Sequence, residues 1–180
     1  EGFLETCNVL SQRTFVALDL GVQSFNEEIL KWMRRGHTAE ESLRAMEKIS
    51  SACPDVNLGA HMIFGAPGET DEMAIEAAKI LNANRVHSTK LHHLHVLKDT
   101  PLAEDYAQGR FEPLEREAYF QRCMLFLQHL RPDIAVHRLS AFSPRWDELV
   151  APAWTSYKMK TYQDMLDFMY ERGAYQGQNI

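Results

Sequence analysis

Residues able to do chemistry gather at three places in this 180-residue sequence. Gln23 and Ser24 close a first apolar run. The Gln23 amide can donate and accept, as recognition of a hydroxyl or carboxylate requires, and it can equally bond the backbone of its own loop. Gly65 and Gly68 frame the turn Gly65-Ala66-Pro67-Gly68, where absent side chains let a flat ligand approach the backbone. Lys90, His92, His93 and His95 crowd a third run. His61 and His92 beside the Lys90 amine are a set that can hold a divalent metal or pass protons. Against metal, no Asp or Glu accompanies them at a metal-site spacing, and a strand histidine is more often a hydrogen-bonded structural residue.

The elements that must position these groups alternate. Residues 15–23 have period two: Val16, Leu18, Leu20 and Val22 on one face, Ala17, Asp19, Gly21 and Gln23 on the other. Asn26 caps a short helix carrying Ile29, Leu30 and Met33, with Gly36 placed to end it. Thr38 and Glu41 form a capping-box pair for a second helix buried through Leu43, Met46 and Ile49. Residues 57–65 alternate again and lead through the Gly-Pro turn to a helix opening at Thr70. A third strand is expected over 86–96 and a third helix over 115–130. With period two, Lys90, His92 and His61 share the inward face, and His93 and His95 the other. Residues 134–139 read as one more strand. A loop with Pro144, Trp146, Pro152 and Trp154 and an amphipathic helix through Met165 and Met169 complete the chain. Strands alternating with helices signal a parallel α/β fold, in which ligands bind beyond the carboxyl ends of the strands. Three such units cannot close an eight-unit barrel, so the sheet is open or partial. No linker divides residues 1–180, which read as a single domain.

Composition excludes several classes. With 45% hydrophobic and 24% charged residues the chain can fill a core and is not disordered. A formal charge of −6 argues against a broad nucleic-acid surface. Cys7, Cys53 and Cys123 form neither a disulfide framework nor a zinc spacing, which fits a reducing, cytoplasmic setting. No membrane-length apolar window occurs. The first residue is Glu1, and no basic-apolar leader follows it.

Five strings in order carry a resemblance. Asp19-Leu20-Gly21-Val22-Gln23-Ser24-Phe25-Asn26, followed by Arg34-Arg35-Gly36-His37-Thr38, resembles the fourth-strand region of radical S-adenosylmethionine (radical SAM) enzymes. His61-Met62-Ile63-Phe64-Gly65-Ala66-Pro67-Gly68-Glu69-Thr70 is similar to their fifth strand and turn. Lys90-Leu91-His92-His93-Leu94, Lys98 to Ala103 and His137-Arg138-Leu139 resemble the YhcC-type subgroup, related to the Elongator catalytic subunit and coproporphyrinogen dehydrogenase. Ala151-Pro152 and Tyr175-Gln176-Gly177 extend the likeness to the tail.

The resemblance implies the C-terminal half of a partial (β/α)6 barrel: last βα units over 1–130 and a C-terminal extension, with a strand and a helix, over 131–180. It also implies that Gln23, with Ser24, contacts S-adenosylmethionine, that Arg35 pairs with its carboxylate, and that His61, Ile63 and the Gly65 turn lie toward the adenosine. Lys90 and His92 point toward substrate and are the catalytic candidates. The family uses three cysteines in a CxxxCxxC loop to hold a 4Fe-4S cluster that splits S-adenosylmethionine into a 5′-deoxyadenosyl radical. That triplet is absent from this sequence. The expectation is therefore an inert piece of a longer radical SAM enzyme. The parent would take electrons from a flavodoxin or ferredoxin and act on a small-molecule or RNA substrate. A homodimer through the exposed half-barrel edge near Phe15 is also expected. The competing readings are a metal-dependent hydrolase or lyase using His61, His92 and His137, and a non-catalytic binding half-barrel.

Overall fold

The computed structural model describes residues 2–143 and 146–180, apart from the side chains of Trp146 and Lys158. Pro144 and the Trp146 side chain, placed by sequence in a loop, lie outside the described residues. The chain runs α1 (Gly2–Ser11), β1 (Ala17–Gln23), α2 (Glu27–Trp32), α3 (Ala39–Ala52), β2 (Asn57–Phe64), α4 (Asp71–Ala83) and β3 (Ser88–His93). It continues β4 (Val96–Leu97), α5 (Pro101–Ala107), α6 (Arg116–Gln128), β5 (Ala135–Arg138), β6 (Leu149–Ala151) and α7 (Lys158–Glu171). Strands β1, β2, β3 and β5 make a parallel sheet in that order. This is the expected α/β architecture: parallel strands joined through helices, open at both edges, as a partial barrel is.

Period-two alternation sorts the two faces. Leu58, Ala60, Met62, Phe64 and Leu91 point to one side and are buried in a single core with side chains of α3, α4, α6 and α7. The capping box at Thr38 starts α3 as expected, with Thr38 Oγ1 accepting from Glu41 N and Glu41 accepting from Thr38 N. The opposite face carries Asp19, Gly21 and Gln23, then Gly59, His61 and Ile63, then Ser88, Lys90 and His92. Most of these side chains are half-buried or exposed. In register, His61 pairs with Lys90 and Ile63 with His92, so the groups stand in layers.

Two expectations fail. The single strand over 86–96 divides, because the ladder ends where Leu94 N donates to Phe64 O at 2.9 Å. The chain then turns so that Val96 enters a second small core with Phe111 and Ala151, and Val96–Leu97 pairs antiparallel with β6. Gly36 does not end α2. The helix closes earlier: Arg34 N bonds Lys31 O, Arg35 N bonds Leu30 O, and Arg34 itself takes the left-handed turn at φ 53.

Gly59 is the position where sheet geometry constrains residue type most tightly. A Cβ there would stand 2.2 Å from Asp19 Oδ1 and 2.9 Å from Ser88 Oγ. The missing side chain lets the Asp19 carboxylate cross β2 and bind Lys90 of β3. Gly59→Ala is expected to displace Asp19 and destabilise the fold by about 1–3 kcal/mol in urea unfolding. Most of that cost should vanish in an Asp19→Ala background, and a fully additive double-mutant cycle would contradict the account.

Candidate functional site

Gln23 owes its position to a break in the ladder. Leu20 pairs with Ala60 and Gln23 with Met62, so β1 carries one residue more than β2 across this step. Gln23 lies at φ 65 and Ser24 N donates back to Val22 O at 2.8 Å, a γ-turn of the rare, strained hand. The side chain then folds over the sheet, with Nε2 3.5 Å from His61 O. Ser24 is spent on the turn: its Oγ accepts from Asn26 N, and Asn26 Oδ1 caps α2 through Ile29 N.

Arg35 arrives from the other direction. The left-handed Arg34 turns the chain back toward β1, and the Arg35 guanidinium donates to Gly21 O at 3.2 Å. Both side chains meet above Gly21, where a Cβ would stand 3.1 Å from Gln23 Nε2 and 3.3 Å from an Arg35 nitrogen. Two non-glycine residues in left-handed conformations, each delivering a polar group to one spot, mark backbone strain held in place by its surroundings. The spot opens on a cavity of about 660 Å³ whose lining includes Gln23, Trp32, Arg35, Ile63, Leu94 and Leu102. That volume suits a cofactor-sized molecule, and the lining mixes apolar walls with a few polar groups.

Gly65 and His61 are not among the residues lining this cavity. Gly65 lies at φ 109 beside Leu94 and Leu114. Its amide donates to Glu69 Oε2 at 2.6 Å, and Arg122 of α6 binds the same carboxylate at 2.8 Å and Asp71 at 3.1 Å. Burial pushes the Glu69 carboxyl up, and the Gly65 amide and Arg122 offset only part of that. Arg122→Met would leave Glu69 buried without its cation. The expected cost is about 3–5 kcal/mol in denaturant unfolding, and a loss below about 1 kcal/mol would show that the pair does not hold the turn.

One layer below the cavity, Asp19 binds Lys90, and His61 Nε2 lies 3.6 Å from Asp19 Oδ2. Burial tends to raise the Asp19 pKa, but the hydrogen bond and charge of Lys90, with His61 and His137, hold it below the usual value. Burial lowers the His61 pKa. Sequence reasoning put Asp19 on this face without giving it a role. Its signal was the shared parity with Gly21 and Gln23, and the gap at Gly59 that lets it reach β3 is visible only with the register.

Comparison with known proteins decides the family. The profile of the radical SAM superfamily matches residues 2–81, and that of the Radical_SAM C-terminal domain matches residues 86–171. The chain belongs to the radical SAM superfamily. It is 31% identical over 160 residues to an uncharacterized protein of Methanocaldococcus jannaschii, an alignment covering 89% of this chain and 49% of that protein. It is 27% identical over 168 residues to protein YhcC of Escherichia coli, covering 93% and 53% respectively. The chain thus spans about half the length of the curated relatives it matches. Its fold is similar to that of Elp3 from Methanocaldococcus infernus, with a TM-score of 0.76 at 22% identity, covering 94% of this chain and 39% of that one.

The cysteines of this radical SAM chain do not suit an iron–sulfur cluster. Cys7, Cys53 and Cys123 are free thiols buried in the core, and none lines the cavity. Cys53 donates to Leu4 O, and burial raises the pKa of both Cys53 and Cys123. Nor is a metal cradle formed by the histidines: among the described residues no group of three His, Cys, Asp or Glu side chains is arranged to hold a metal ion. No helix among the described residues is long and apolar enough to cross a membrane.

His92, His93 and His95 instead pack ring against ring. The His95 ring centroid lies 5.0 Å from that of His92 and 4.2 Å from that of His93, and His93 also meets Tyr119 and Trp154. His93 takes the helix side of β3, as its parity requires, but His95 lies beyond the strand end and touches both neighbours. Burial, with neighbouring imidazoles and Arg138 adding to it, pushes the His93 pKa down to about 2 and that of His95 to about 4. Unfolded imidazoles protonate below about 6.5, so the unfolded chain binds more protons from there down to about 4. Stability is therefore full above about pH 6.5 and declines as the pH falls. Melting followed from pH 7 to 4.5 should show that decline, with a shallower slope in His93→Phe, and an unchanged slope would refute the assignment.

Proposed function

We propose that this chain supplies the S-adenosylmethionine-binding side of a radical SAM enzyme. The observation that carries this reading is the convergence of Gln23 and Arg35 above Gly21 at the mouth of the cavity. An amide that both donates and accepts, next to an uncompensated guanidinium, suits an amino acid carboxylate and its neighbouring hydroxyls. Arg35 would pair with the carboxylate of S-adenosylmethionine, and Gln23 would bond its methionyl or ribose part. Ile63 would lie against the adenine. Ser24 serves by fixing the turn, and Gly65, held by Glu69, shapes the strand end beyond Ile63. His61, tied to Asp19, forms the floor on the adenosine side, and Lys90 and His92 face the substrate.

When bound beside a 4Fe-4S cluster, S-adenosylmethionine supplies a carbon-centred radical through one-electron cleavage of its sulfur–carbon bond. The buried thiols of this chain do not fit such a cluster, and its ligands would come from the part of a longer protein that the relatives possess. In that reading the residues here bind and orient S-adenosylmethionine and shield it from water. By themselves they do not start the reaction. An electron donor such as a flavodoxin or ferredoxin, a small-molecule or RNA substrate, and a second copy paired along the β1 edge belong to the same proposal.

The test uses the full-length gene product, reconstituted anaerobically. Iron and sulfide near four each per chain are expected, with dithionite-dependent release of 5′-deoxyadenosine. Arg35→Gln should raise the dissociation constant for S-adenosylmethionine by about tenfold or more, the loss of one charge-assisted bidentate contact. Absence of iron and sulfide, or an affinity indifferent to both Arg35→Gln and Gln23→Ala, would reject the reading.

A further inference from the structure

The cavity beside Gln23 is cationic in a chain whose formal charge is −6. Lys31, Arg34 and Arg35 all line it, and Asp105 of α5 is the one carboxylate among its lining residues. That carboxylate is already matched. Arg110 donates to its Oδ1 through Nε at 3.0 Å and through a second guanidinium nitrogen. Among the described residues none of the three cavity cations forms an ion pair. The nearest acids in sequence are turned elsewhere: Glu27 accepts from Ala39 N at 2.8 Å, and Glu41 from Thr38 N.

The end of α2 collects these cations. Arg34 N donates to Lys31 O and Arg35 N to Leu30 O, which sets Arg34 at φ 53 and folds Arg35 back over β1. The carboxyl end of a helix favours cations and water solvates exposed ones, so Lys31 by itself calls for no ligand. Arg34 is different, because glycine adopts its conformation freely and arginine only under strain. It is flanked in sequence by two like charges, and all three stand on the rim of one concave cavity. Walls of low polarity around such a rim focus its field and concentrate anions. Those walls include Trp32, 37% exposed and 5.7 Å from the Phe111 ring, and Leu102 of α5.

S-adenosylmethionine does not balance this cavity. It has one carboxylate, assigned above to Arg35, and two cationic centres, its ammonium and its sulfonium. Its arrival therefore leaves Lys31 and Arg34 unmatched and adds positive charge. We propose that Lys31 and Arg34, with Trp32, bind a phosphate ester, and that the substrate is such an ester. A phosphate monoester carries about −1.5 to −2 charges at pH 7, enough for two cations where a carboxylate serves one. Its free oxygens accept from the Arg34 fork and the Lys31 ammonium, and its organic part packs on Trp32 and Leu102. For the word substrate the inference rests on the preceding reading, in which Gln23 and Arg35 hold the cofactor at the β1 end of the same cavity.

The experiment is isothermal titration of the full-length gene product at pH 7 and constant ionic strength, with phenyl phosphate, inorganic phosphate and phenylacetate as probes. Phenyl phosphate should bind saturably and several-fold more tightly than the other two, since one lacks the ring and the other the second charge. Combining Lys31→Gln with Arg34→Gln should weaken it by about tenfold or more. Trp32→Ala should weaken phenyl phosphate and leave inorganic phosphate unchanged. Arg34→Gly separates binding from folding: it relieves the left-handed strain, so the Tm should hold or rise while phenyl phosphate affinity falls. An absence of saturable binding, a preference for phenylacetate, or equal affinity in the folded double variant would overturn the proposal. Phenyl phosphate should still bind at saturating S-adenosylhomocysteine, and mutual exclusion would return the cations to the cofactor site and overturn it too. Failure of S-adenosylhomocysteine to bind, with phenyl phosphate still bound, would sink the cofactor reading and leave the phosphate site standing.

Discussion

The open face of the sheet is organised around a carboxylate that crosses a strand. Asp19 of β1 reaches Lys90 of β3 because Gly59 of β2 has nothing in the way. The pair is only partly shielded from water, so its worth as an ion pair is small. Its geometric consequence is larger. It ties the first and third strands from the side opposite the helices, at a level just below the ligand-binding ends. His61 lies toward the same carboxylate, so the layer beneath the cavity is polar and its cation, Lys90, is matched by an anion. In the layer above, Arg35 donates to a backbone carbonyl and has no such counter-ion among the described residues.

Those upper groups share a physical character. Gln23 and Arg34 hold left-handed backbone conformations that cost non-glycine residues about 1–3 kcal/mol each. Such strain persists only where the surroundings overdetermine it. For Gln23 the surroundings are the bulge in β1 and the capped start of α2. For Arg34 they are the two hydrogen bonds that close the end of α2. Glycine at either place would relieve the strain, but a glycine at 23 would also remove the amide that the turn presents. The arrangement thus places polar side chains where backbone comfort is lowest.

Much of this was legible from residue order. Period two in residues 15–23 and 57–65 assigned Asp19 and Gln23, then His61 and Ile63, to one face of each strand, and Thr38 with Glu41 declared a helix start. These are local signals, carried by backbone geometry that any strand or helix shares. What escaped depends on distant partners. The end of α2 was assigned to Gly36 because glycine tolerates left-handed geometry, whereas packing of Arg35 against β1 forces that geometry onto Arg34. The split of the run over 86–96 depends on Phe111 and Ala151, far along the chain, capturing Val96 in a second core. The buried Arg122–Glu69 pair joins residues 53 apart and gives no periodic signal. The family was legible for another reason: the resemblance is carried by short strings in a fixed order, which can be read without the distant contacts that determine the fold.

The same distinction separates what these residues do from what they leave undone. Every cysteine of the chain is committed to packing, with thiols whose pKa burial raises where a shift is resolved, and such thiols are poor metal ligands because the thiolate is what binds. The Arg35 guanidinium is the reverse: it is exposed, donates to Gly21 O and has no ion-pair partner among the described residues. In the proposed reading this group, and not a thiol, meets the anionic ligand, because a guanidinium carries its charge at every working pH and needs no deprotonation to bind.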